Sequence, residues 1–384
     1  MLCHLHLHAS FPDSIRPRLE GYNFLMSEMP QIAETALTPM ASLSPASDLQ
    51  MHRGRISPRV FAGTESELAS LLHTAAVYDL GYLTRIRITG EDRLRWLNGM
   101  VTNTVQSLPE GYGNYTLILN AQGRIQGDGY VFRAADHLLL ETDRSQSPRL
   151  LAHLDQFIIM DDVELHELDA TNTTIGLAGP QAPAMLDSLG LPVPEMLAFV
   201  PAEVQGIPVT VVRAYSVLVP RFEFRLAAEH VAEVWRILTE AGAAPAGFDA
   251  LESLRILEGT PLYGLDMSDR YLPQETNQSR ALNFNKGCYL GQEIVERIRS
   301  RATVHRTLRQ FELHGPLPMP GTELRVESDD KPIGEISSAA HYALPGLPRT
   351  FALGMIRIEA LERKAVITYP GGRATPLDAP PALP

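Results

Sequence analysis

Cysteine is nearly absent: the 384-residue chain holds two. Two thiols build no disulfide framework. Near Met1 there is no basic start leading into a long apolar run and a small-residue cleavage site, so the expected location is the cytoplasm, a reducing compartment. Nowhere does the sequence offer the roughly 20 consecutive apolar residues of a membrane span. Runs such as Phe157-Ile158-Ile159-Met160 have the length of a strand or core helix. Basic residues are the minority, 33 Lys and Arg against 45 Asp and Glu, for a formal charge of -12. That average field repels nucleic acid and anionic membrane, so neither is an expected partner. Phosphate-cradling glycine loops, paired CxxC motifs and a sequence repeat are also missing.

What is present is ordinary for a globular protein: 45% hydrophobic and 20% charged residues. The length exceeds one compact core and predicts two or three domains. Residues 1–60 mix Pro, Ser, Ala and Met without a period, which predicts a loose extension, with Met26, Met29, Met40 and Met51 as alternative starts. Within it, His4, His6 and His8 alternate beside Cys3, but a terminal tail seldom carries the second shell that a metal needs, and no metal site is assigned. From Thr64 the pattern tightens. It predicts a helix over Glu65–Val77, a strand over Leu83–Thr89, and a hairpin around Asn120-Ala121-Gln122-Gly123. A comparable unit follows from about residue 169 to 305, where Val231, Val234, Trp235 and Leu238 fall at helical spacing. Short alternating segments over 306–375 predict a small all-β barrel, and 376–384 a loose tail. The class is α+β, with subdomains near 61–168 and 169–305.

Three stretches could carry chemistry. Cys288 lies between Gly287 and Gly291, two residues after Lys286 and just ahead of a helix pattern. A helix N-terminus and an ammonium both favour thiolate, which makes a reactive thiol; the alternative is a small, buried, inert cysteine. Asp128 sits in a strand between Gly127 and Gly129, where a carboxylate can approach a ligand closely, or simply mark a solvated bulge. Finally, Glu258, Asp266, Asp269 and Glu275 decorate a helix end and the long loop after it, as a polar ring or a solvated connection.

Lys286-Gly287-Cys288-Tyr289-Leu290-Gly291-Gln292-Glu293 resembles the K-G-C-Y-x-G-Q-E signature of YgfZ-type folate-binding proteins, relatives of the aminomethyltransferase (T-protein) of the glycine cleavage system. Trp96-Leu97-Asn98-Gly99-Met100-Val101-Thr102-Asn103, Asn120 to Ile125 and Leu272-Pro273-Gln274-Glu275 extend the resemblance over about Tyr78 to Tyr369. It implies two ferredoxin-like units and a C-terminal β-barrel around an opening for tetrahydrofolate. It also implies a role in assembling or repairing iron–sulfur enzymes, including one that modifies tRNA, with such enzymes or assembly proteins as partners. The alternative it implies is aminomethyl transfer to tetrahydrofolate. The candidate reactive residues are Cys288, Lys286 and Asp128; the candidate folate contacts are Asn120, Asp128, Glu258, Glu275, Tyr289 and Gln292. One thiolate does not hold a cluster that normally takes four ligands, so a transient cluster, a redox step and a folate-linked reaction all stay open for Cys288. Two positions depart from the aminomethyltransferase pattern. Gly127 replaces the first Asp of G-G-x-x-D-D, and Leu257 stands at the pterin-anchoring Glu of L-R-x-E-x-G. Glu258 is next to it, but one helical step turns a side chain by about 100°.

Overall fold

A computed structural model describes residues 37–43, 48–168, 171–301, 304–345 and 347–382. The His4, His6 and His8 motif and the early methionines Met26 and Met29 lie outside these residues. Helix α1 (Pro39–Leu43) and the hairpin of β1 (Asp48–His52) and β2 (Arg55–Val60) come first. All three fall where a loose extension was expected. Thr38 and Met40 are buried there, and the Thr38 hydroxyl donates to the Asp79 carboxylate. Arg53, at the hairpin turn, reaches Glu252 at 2.7 Å and Asp143 at 3.6 Å. The segment has no pattern of its own because side chains from distant parts of the chain hold it.

Helix α2 (Thr64–His73) stops short of the predicted Val77, and β3 (Ala76–Asp79) follows. Ala76 pairs with Ala178 and with Ala244 on the two flanking strands, so sheet pairing overrides the helix propensity of the alanines. The next elements are β4 (Leu83–Thr89), α3 (Arg93–Met100), β5 (Gly113–Leu119), β6 (Ile125–Arg133), β7 (Leu138–Asp143), α4 (Ser147–Asp155) and β8 (Glu164–Glu167). Their sheet runs β5-β6-β7-β4-β8. Ile86, Ile88, Leu97, Leu140, Leu150 and Leu154 fill one core between this sheet and the helices α3 and α4.

The second unit comprises β9 (Asn172–Ala178), α5 (Ala182–Ser188), β10 (Phe199–Val204), β11 (Ile207–Ala214), β12 (Arg221–Ala227), α6 (Val231–Glu240), β13 (Ala244–Ala246) and α7 (Phe248–Leu257). Its sheet order is β10-β11-β12-β9-β3-β13, so β3 crosses into it from the N-terminal side. The predicted stripe of α6 is buried against it through Val231, Val234, Trp235 and Leu238. Helix α8 (Gln292–Arg301) then leads to β14 (Arg306–His314), β15 (Thr322–Val326), β16 (Asp329–Leu344), β17 (Leu347–Arg357), α9 (Ile358–Glu362), β18 (Ile367–Tyr369) and β19 (Gly372–Leu377). The six strands close into a barrel, β14-β17-β16-β15-β18-β19, and closure removes the unpaired edges. Leu251, Leu254 and Leu257 of α7 join Tyr342, Leu344 and Phe351 of the barrel in one core. The expected α+β pair with a C-terminal barrel is therefore present. Among the described residues no helix is long and apolar enough to cross a membrane.

Candidate functional site

Strand alternation on β6 puts Asp128, Tyr130 and Phe132 on one face, and that face lines a cavity of about 170 Å³. Tyr82, Tyr115 and Tyr215 add aromatic wall. The Tyr115 hydroxyl donates to Asp128 Oδ2 at 2.6 Å, and Gln146 Nε2 donates to Oδ1 at 3.0 Å. Gln146 Oε1 in turn accepts from the Asp128 backbone N–H at 3.1 Å. Burial raises the Asp128 pKa above the usual carboxylate range, and the two side-chain donors hold it back in part. The carboxylate is thus fixed in direction and made more basic than a surface aspartate.

Gly127, at the first Asp position of the related motif, faces the other way. A Cβ there would stand 2.7 Å from Leu150 Cδ2 and 2.9 Å from Gln146 Oε1. A second aspartate at this point would require Leu150 and Gln146 to shift, and the one the chain keeps is on the cavity face.

Glu223 is the second acid of the cavity. It comes from β12, is buried, and no donor among the described residues hydrogen-bonds its carboxylate. Its pKa is pushed up to about 7, first by burial and then by the nearby Glu141 charge. Glu258 also lines the cavity; its Oε1 accepts from the Ser216 hydroxyl and the Leu218 N–H, and burial raises its pKa. Leu257, at the motif's glutamate position, is fully buried in the core shared with the barrel. Glu258 therefore borders the cavity with one carboxylate oxygen already held, whereas Glu223 has neither oxygen hydrogen-bonded among the described residues.

The signature loop lies elsewhere. Lys286 Nζ donates to the backbone carbonyls of Asn98 (2.5 Å), Val101 (2.6 Å) and Asn103 (2.7 Å), at the C-terminal end of α3. It was expected to tune the thiol; its three donors instead fasten the loop to α3. Burial draws its pKa down to about 7. Cys288 is exposed, which removes the buried-cysteine alternative, and it does not line the cavity. Tyr289 is buried with Tyr115, Leu117 and Val295, and its N–H donates to Gln292 Oε1 at 3.2 Å. These two residues shape the loop's entry into α8.

Two other expected folate contacts also have structural partners. Asn120 Oδ1 accepts from the N–H groups of Gln122 and Arg124, both at 3.0 Å, closing the hairpin turn. Glu275 accepts from the Leu272 N–H at 2.8 Å and pairs with Arg306 at 2.7 Å, joining its loop to the barrel. Of the expected site residues, only Asp128 and Glu258 line the cavity.

The residues that sequence reading missed are Glu223, Tyr115, Gln146 and Arg280. A signal was there in Arg221-Phe222-Glu223-Phe224-Arg225, where charges alternate with aromatics. In an exposed strand the charges would face water; here Arg225 pairs with Glu141 at 3.0 Å across the two sheets, and the charged face is interior.

Residues 34–286 match the GCVT N-terminal domain family. An aminomethyltransferase of Thermus thermophilus is 28% identical over 309 residues, 79% of this chain and 85% of that protein. An aminomethyltransferase of Streptomyces coelicolor is 27% identical over 311 residues, 77% of this chain and 82% of that protein. Among solved structures, the glycine cleavage system aminomethyltransferase T of Bartonella henselae superposes with a TM-score of 0.80 over 89% of this chain and 96% of its own; at 18% identity this is a likeness of fold. With well over half of its residues inside the family match, the chain belongs to the GCVT N-terminal domain family.

Proposed function

We propose that the chain binds a reduced folate in the cavity around Asp128 and catalyses transfer of a one-carbon unit to it, in the manner of an aminomethyltransferase acting on a lipoyl carrier protein in the cytoplasm. The observation that carries this reading is the Asp128 carboxylate, held toward the cavity by Tyr115 and Gln146. The lining fits such a ligand. Tyr82, Tyr115, Tyr130 and Tyr215 supply walls for a flat bicyclic ring, and Glu223 supplies a carboxylate for the ring's N–H-rich edge. The folate, when bound, brings the amine that accepts the carbon. Asp128 then serves as the base that holds or moves the amine proton, which is the work of a carboxylate with a raised pKa.

A second reading, maintenance of iron–sulfur enzymes, rests on the exposed Cys288 in its signature loop. The relatives named aminomethyltransferases support the transfer reading better than this one. The two part in one assay. Purified protein with aminomethyl-lipoyl carrier protein and tetrahydrofolate is expected to form methylenetetrahydrofolate and release ammonia. Folate binding without either product would reject the transfer reading and leave the thiol reading.

A further inference from the structure

Arg280 enters the same cavity in an unusual state. Its guanidinium carbon lies 3.9 Å from the centre of the Tyr215 ring and 4.0 Å from that of Tyr115, so both of its faces are covered. Its in-plane partners are neutral: Tyr130 Oη accepts from Nη1 at 2.9 Å, and Gln278 Oε1 accepts from Nε at 3.2 Å. Among the described residues no carboxylate lies within ion-pair distance of it. Two of the other cavity arginines are committed to carboxylates. Arg53 pairs with Glu252 at 2.7 Å and Arg255 with Asp266 at 2.5 Å, whereas Arg221 donates to the Tyr78 hydroxyl at 3.3 Å and is covered by the Tyr78 ring. The backbone of Arg280 is also pinned, since its carbonyl accepts from Asn103 Nδ2 at 2.9 Å, and the next carbonyl, of Ala281, accepts from the Thr102 hydroxyl at 2.7 Å.

A part-buried cation without a carboxylate partner is costly. Arg280 lines the cavity with hydrogen bonds, among the described residues, on Nε and Nη1 alone, which leaves Nη2 for a ligand. A guanidinium held in a fixed plane is a preorganised fork for a planar anion. We infer that Arg280 is the anchor for a carboxylate on the ligand of this cavity. A carboxylate suits the site better than a phosphate, because acidic side chains already outnumber arginines along the lining and a second negative charge would be repelled. Two sources share this chemistry: the glutamyl tail of a folate, and the carboxylate of a small amino acid bound beside it. The inference rests on the folate reading above.

Calorimetric titration separates the possibilities. The probes are tetrahydrofolate, 6-methyltetrahydropterin, which has no tail, and sarcosine added to folate-saturated protein. If the tail is the source, wild type prefers tetrahydrofolate to the bare pterin, and Arg280→Gln weakens tetrahydrofolate about 10- to 100-fold without changing the pterin. If an amino acid is the source, Arg280→Gln leaves tetrahydrofolate unchanged and loses sarcosine. Arg280→Gln protein that unfolds at the wild-type temperature and binds all three probes as wild type does overturns the inference. Should that variant not fold, Arg280→Lys carries the test: it keeps the charge and loses the fork, and unchanged binding of every probe again overturns the inference. Wild-type protein that binds no tetrahydrofolate fails earlier, on the folate reading itself.

Discussion

Asp128→Asn is expected to slow one-carbon transfer by about 10²- to 10⁴-fold, the usual contribution of a positioned acid or base. The substitution keeps the size of the side chain and most of its surroundings. Tyr115 can still donate to the amide oxygen, and Gln146 Oε1 can still accept from the backbone N–H. The bond from Gln146 Nε2 to Oδ1 is lost, because an amide NH2 cannot accept it. What is lost is the basic oxygen facing the cavity, so kcat should fall while tetrahydrofolate affinity changes little. The pH profile supplies a second readout. Because burial raises the Asp128 pKa, the carboxylate required for proton transfer is lost, as pH falls, at a higher pH than for an ordinary aspartate near 3.9. Wild type should show this acid limb and the variant should lack it. The same shift has the opposite sense for stability. A raised carboxyl pKa contributes stability below the unfolded value, and that contribution is lost as pH rises through the folded one. An Asn variant with wild-type turnover would remove Asp128 from the chemistry.

Lys286→Met should lower the unfolding free energy by about 2–4 kcal/mol, read from denaturant titration. Three backbone carbonyls at the end of α3 would lose their shared donor, and each such bond contributes about 0.5–1.5 kcal/mol before non-additivity. Methionine fills much of the same space, so the effect isolates the lost hydrogen bonds from a lost volume. The Leu290 N–H, which donates to the Gly99 carbonyl at 2.9 Å, is left as the loop's neighbouring tie to α3. Unchanged stability would show that the ammonium is not the fastener of the signature loop.

Much of the architecture was legible because periodicity was strong where it mattered. Leu83–Thr89 alternates and forms β4 with those bounds; the stripe of α6 is buried as its spacing predicts; the short segments after Arg306 close into the barrel. Where the reading failed, long-range contacts decided. Ala76 and Val77 join a sheet whose partners lie about a hundred residues on, and Thr38 and Arg53 are held by Asp79 and Glu252. The site divides in the same way. Asp128 was visible as a carboxylate between glycines in a strand. Glu223 and Arg280 were not, because a charged residue in a strand or loop is ordinarily solvated, and only the packing of distant elements brings them into the cavity wall. The signature around Cys288 stood out in the sequence, yet most of its residues hold turns and helix ends in place.

The central claim is that the cavity lined by Asp128 and Glu223 takes a reduced folate. Its most direct test is calorimetric titration of wild-type and Glu223→Gln protein with tetrahydrofolate. Saturable binding by wild type, at one folate per chain and weakened about tenfold or more by the loss of the unpaired carboxylate, is the predicted result. Absence of binding by wild type, or equal affinity in the two proteins, would contradict it.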